Sequence, residues 1–176
     1  MFLFPAKVNL LYLNDYIMKK TFLTFALIFS GLLSFAQEKL LSYEDISYLI
    51  HNNITKADNF MISKGYSVTL SKPKDKVKKY ILKYKAETQN EVTLRPDGRR
   101  LFVGIQTNIL EQYNLLLNSI SQYKTTASNP SPDVQSYLVQ DLGNIYITIT
   151  DSVPYDPLKK DYDIQIVPDK NIVAVD

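Results

Sequence analysis

The chain has 176 residues, no cysteine and a single histidine, and its 20 lysines and arginines nearly balance its 18 aspartates and glutamates. The missing thiol excludes disulfides, a cysteine nucleophile, a zinc-thiolate centre and a lipidated cysteine. The near-neutral balance argues against a nucleic-acid partner.

Residues 1–17 read as an awkward N-terminal extension, because Met18-Lys19-Lys20 already supplies the basic start of a leader. An apolar run from Phe22 to Leu33 follows, and Ser34-Phe35-Ala36 sets small residues where a signal peptidase inspects the chain. This predicts a signal peptide over 18–36, cut between Ala36 and Gln37. A membrane span would need about 20 apolar residues, so none is expected after cleavage. The expectation is therefore a single mature domain over 37–176, soluble in the periplasm or outside the cell. Losing Lys7, Lys19, Lys20 and Asp15 leaves it with 17 basic and 17 acidic residues.

Ser42 and Asp45 form a reciprocal cap for a helix whose apolar residues recur from Ile46 to Met61, predicting one amphipathic helix that ends at Gly65. His51 lies on it beside Asn52 and Asn53, without a carboxylate at ligand spacing, and reads as an ordinary boundary residue. Tyr66–Leu70 alternates like a strand. A lysine-rich stretch follows, in which Tyr80, Leu82, Tyr84 and Ala86 alternate with Lys79, Lys83 and Lys85. That gives a strand one apolar and one basic face; the lysines guard an edge or contact an anionic partner.

Glu91–Arg95, Pro96-Asp97-Gly98 and Arg99–Thr107 read as a hairpin with proline, aspartate and glycine in its turn. Arg95, Arg99 and Arg100, the only arginines in the chain, crowd its tip and join Lys79, Lys83 and Lys85 as candidate anion or partner contacts. Asn108 and Glu111 suggest a cap for a second helix that buries Ile109, Leu110, Tyr113, Leu116, Leu117 and Ile120 and turns Gln112 outward. Tyr123–Thr126 reads as a short strand, 127–132 as a loop, and 134–142 as a strand in preference to a helix. Asn144–Thr150 is rich in β-branched residues, Asp151–Lys160 reads as a proline-bearing turn, and Tyr162–Val167 as a returning strand. The aspartates at 156, 161, 163 and 169 lack calcium-loop spacing, so neither metal nor cofactor is expected.

The fold class is thus α+β, two amphipathic helices on an antiparallel sheet, arranged as a duplicated helix-plus-strands unit with halves 37–107 and 108–176. The first half holds 13 basic and 8 acidic residues, the second 4 and 9. The tandem layout is loosely similar to secreted bacterial inhibitor and envelope-accessory modules, and no residue-level motif assigns a family. The sequence lacks a phosphate loop, a nucleophile elbow and a histidine–carboxylate pair, so an enzyme is not expected. The expected function is a small exported binding or envelope-accessory protein that engages another envelope or secreted protein or a surface glycan. The alternatives are an inhibitor of a secreted protein and a carboxylate-dependent hydrolase of envelope glycans.

Overall fold

The computed structural model describes residues 18, 39–72, 77–83, 88–131, 133–153 and 156–172. The chain divides into Met1–Lys39 and Leu40–Asp176, and the architecture below is that of the second unit. Ala36 and Gln37, the expected cleavage pair, and Lys85 lie outside the described residues.

The Ser42–Asp45 capping box is formed and starts helix α1, Tyr43–His51, which buries Tyr43, Ile46, Leu49 and Ile50. The long helix expected up to Gly65 is two helices. Asn52 turns its amide back to the Tyr48 carbonyl (2.8 Å), and Asn53 accepts from the backbone N–H groups of Thr55 and Lys56, capping α2, Ile54–Ser63. Asparagine side chains compete for backbone partners in this way, so two in succession end one helix and start another without spoiling the apolar spacing. With α3, Leu110–Ile120, the described residues contain three helices where two were expected. None is long and apolar enough to cross a membrane.

The strands are β1 (Ser67–Lys72), β2 (Val77–Lys83), β3 (Gln89–Asp97), β4 (Arg100–Thr107), β5 (Lys124–Ser131), β6 (Val134–Val139), β7 (Gly143–Val153) and β8 (Asp156–Val167). They form one antiparallel sheet in the order β1-β2-β3-β4-β8-β7-β6-β5. Each half is a four-strand meander, and the halves meet along β4 and β8, where Val103 faces Ile166 and Ile105 faces Ile164.

Several local expectations give way. The segment 127–132 belongs to β5 as far as Ser131, because an edge strand with an irregular register between Ser128 and Ser131 tolerates a proline that a central strand would not. The turn expected over Asp151–Lys160 is mostly strand, since β7 and β8 stay paired until Val153 meets Asp156. Pro96 stands inside β3 opposite Leu101, and the β3–β4 turn is Gly98-Arg99, with Gly98 at φ +60° in the first loop position, as a tight two-residue hairpin of the right twist requires. Helix α3 is capped at Ile109 without a side-chain hydrogen bond; the Thr107 hydroxyl accepts from the Ile109 N–H instead (3.1 Å). Leu110, expected inside, is 52% exposed.

Alternate residues of every central strand point to one face. Across β2, β3, β4, β8 and β7 runs the row Tyr80, Val92, Ile105, Ile164 and Ile147, all fully buried. α1 and α3 lie against β4, and α2 against β1, closing a single core that takes residues from both halves. Each fully buried aliphatic side chain contributes about 1.5–3 kcal/mol, so a core of this size holds the domain together without disulfides.

Candidate functional site

The other face of the sheet carries no helix among the described residues, and the register lays its side chains out in rows. One runs Ile81, Glu91, Gln106, Asp163, Thr148, Val134 across β2, β3, β4, β8, β7 and β6. Two residues along each strand, a second runs Lys79, Thr93, Gly104, Gln165, Tyr146, Ser136. Beyond that stand Arg95 opposite Phe102, and Leu138 opposite Asn144. Tyr146 and Leu138 are exposed, and Phe102 and Ile81 half-buried.

The candidate cations do not form one cluster. Lys79 reaches diagonally across the β2–β3 ladder to Glu91 (2.6 Å), a half-exposed pair of small energetic weight. Lys83 is exposed at the end of β2. The arginines do gather. Arg95 and Arg100 both stand over the Phe102 ring, at 5.1 and 5.5 Å from its centroid, and Arg99 lies in the turn between the strands. Cation–π contact at these distances draws both guanidinium groups to the one ring.

At the junction of the halves, β4 ends while β7 and β8 continue, and the corner this leaves is a cleft of about 410 Å³. Its lining combines the carboxylates Glu91, Asp161 and Asp163 with the amides of Gln89, Gln106 and Asn108 and the hydroxyl-bearing Thr107, Thr148, Thr150 and Tyr162. Among the described residues no lysine or arginine lines it. Asp163 accepts from Gln165 Nε2 (2.6 Å), and Tyr162 stacks on Tyr113 of α3 at 4.5 Å.

On the helix side, sequence reading missed the polar node below α3. Gln112, expected on the outer face, is fully buried. Its Oε1 accepts from the Leu41 N–H and from Asn90 Nδ2, both at 2.9 Å, and its Nε2 donates to the Leu41 carbonyl (2.8 Å). Asn90 Nδ2 also donates to Tyr66 Oη (2.8 Å), while the buried Asn90 Oδ1 has no partner among the described residues. Leu40 and Leu41, apolar neighbours just before a helix cap, were the signal in the sequence that this segment is anchored in the core, where both are buried. Burial pushes the Tyr66 phenol well above its usual range.

A second node ties α2 to β2. Asp58 accepts from Lys78 Nζ (2.6 Å) and from Tyr80 Oη (2.8 Å). Burial alone would raise the Asp58 carboxyl, but those hydrogen bonds and the Lys78 charge outweigh it and hold the carboxyl below its ordinary value. The Tyr80 phenol is pushed far up by burial and by its carboxylate partner. His51 donates from Nδ1 to the Ser47 carbonyl one turn back (2.8 Å), which assigns the proton to that nitrogen. No three histidine or acidic residues among those described converge as a metal-binding group. Comparison with protein families, with curated proteins and with solved structures finds no match to this chain.

Proposed function

We propose that this protein is a small exported, non-enzymatic binding module that docks another envelope or secreted protein on the helix-free face of its sheet. The observation that carries the reading is the content of that face: exposed Tyr146 and Leu138 and the arginine-flanked Phe102, with the Gln165 side chain lying over Gly104 beside them. Tyrosine, phenylalanine and arginine are enriched at protein interfaces, where each supplies large contact area at small entropic cost. Eight strands at ladder spacing, about six residues deep, give roughly 34 Å by 20 Å, on the order of 700 Å². That is close to the ~800 Å² each partner contributes to an interface of standard size. The arginine tip selects a partner whose rim is acidic at that end.

The charge asymmetry supports an oriented complex, because the first half is net basic and the second net acidic. The repeated order of helix then meander supports a duplicated unit, and the leader over 18–36 supports export.

The test is to isolate the partner from envelope extract on immobilised protein and footprint the purified complex by hydrogen exchange. Protection should fall on β3, β4, β7 and β8, and Phe102→Ala should weaken binding by about tenfold or more. Protection confined to the helix side, or unchanged affinity in Phe102→Ala, would sink the reading.

A further inference from the structure

We propose that the cleft where the two halves join binds a neutral, hydroxyl-rich ligand, namely an oligosaccharide laid across the strands. The inference is separable from protein docking, since it uses the row from Glu91 to Thr148 rather than the rows of Phe102 and Tyr146, and different chemistry. A volume of about 410 Å³ falls in the usual range for small-molecule sites, roughly 300–1,000 Å³.

The lining chooses the ligand class. Asp161 and Asp163 repel phosphates and carboxylates, and among the described residues no lysine or arginine in the lining offsets them, while Glu91 is paired with Lys79 from outside it. A cationic ligand finds the Glu91 charge already met by Lys79, and one Asp163 oxygen already accepts from Gln165. Thr107 is already engaged with the Gln89 carbonyl and the Ile109 N–H, and Asn108 Oδ1 with the Gln89 N–H, so the neutral donors and acceptors facing a ligand are the side chains of Gln89, Gln106, Thr148 and Thr150. A carboxamide presents both side by side in one plane, a carboxylate presents two acceptors, and a threonine hydroxyl does either. Adjacent sugar hydroxyls each donate and accept, so they match this set, whereas an apolar ligand would leave it unsatisfied.

The geometry adds length. Glu91, Gln106, Asp163 and Thr148 face one another in order across four adjacent strands. Three ladder spacings make a row roughly 14 Å long, which suits linked sugar rings better than a single one. The row is held by the β4–β8 seam, so the site exists only when both halves are docked.

The test is titration of the purified protein, followed by NMR amide shifts, with neutral trisaccharides of β-linked N-acetylglucosamine, β-linked glucose and α-linked glucose. Spermidine and inorganic phosphate serve as cationic and anionic probes. At least one trisaccharide should saturate, with shifts confined to residues 89–91, 106–108, 148–150 and 161–163. Gln106→Ala and Asp163→Asn, both on solvent-facing positions, should each weaken it about tenfold while the melting temperature stays unchanged. Phe102→Ala, which tests protein docking, should leave the trisaccharide affinity as it was. Saturation by spermidine alone, no saturation by any trisaccharide, or equal affinity in Gln106→Ala and Asp163→Asn would each overturn the proposal.

Discussion

Gln112 shows how one side chain can join parts of the chain that are far apart in sequence. It closes both backbone groups of Leu41 and one amide proton of Asn90, all inside the core. Replacing it with leucine keeps the volume and removes every one of those partners, leaving buried donors and acceptors at about 1–3 kcal/mol each. Gln112→Leu is therefore expected to lower unfolding stability by about 3 kcal/mol or more in urea denaturation, and a loss below about 1 kcal/mol would contradict this account. The Asp58 node predicts a pH dependence. Its folded carboxyl titrates below the unfolded value of about 3.9, so its contribution is complete above about pH 4 and disappears as acidification passes the folded value. Tyr66 and Tyr80 titrate above their unfolded value of about 10, so their contribution is complete below that pH and is lost as the medium becomes more alkaline. Stability curves of the wild type and of Asp58→Asn should converge at low pH, and persistence of the gap there would refute the assignment.

The hairpins show which turns depend on glycine. A Cβ at Gly143 would meet Val167 O and Asp169 N at 2.5 Å, both backbone atoms, and the residue sits at φ +98°. Gly98 also has positive φ, but open space around it. Gly143→Ala should cost at least about 2 kcal/mol, and Gly98→Ala about 1 kcal/mol, the strain of the left-handed region alone. Thermal melts of the two variants side by side measure the difference, and equal shifts would show that the close approach of β7 to the chain after β8 is not rigid. Much at this scale was legible beforehand. The capping box at Ser42, the β3–β4 hairpin, and the alternation in β7 and β8 follow from local rules of turns and period-two burial. The helix break at Asn52-Asn53 was also written locally, but the apolar spacing runs through it unbroken and masked it. The start of β5, up to Thr126, was legible, but its continuation over 127–131 was not, because a proline-bearing polar stretch becomes a strand only when β6 is there to pair with it.

Within Leu40–Asp176 the described residues form one core and one seam. Because the buried cluster draws on both halves and β4 pairs with β8, the halves should unfold together. Calorimetry should give a single transition with matching calorimetric and van't Hoff enthalpies, and two resolved transitions would mean that each half folds alone. The contrast between the helix-covered and the helix-free sheet face, among the described residues, also belongs to this scale. By itself the sequence determined the α+β class, the alternating burial of most strands, the reciprocal helix cap and the glycine turn, since each depends on residues within a few positions of one another. It also placed the arginines at one hairpin tip, although not on the shared Phe102 ring. Only the tertiary structure decided the strand order, the burial of Gln112 and the cleft between β4 and β8. These arise where residues distant in the chain are brought side by side, and no local periodicity carries the register that brings Gln106 opposite Asp163.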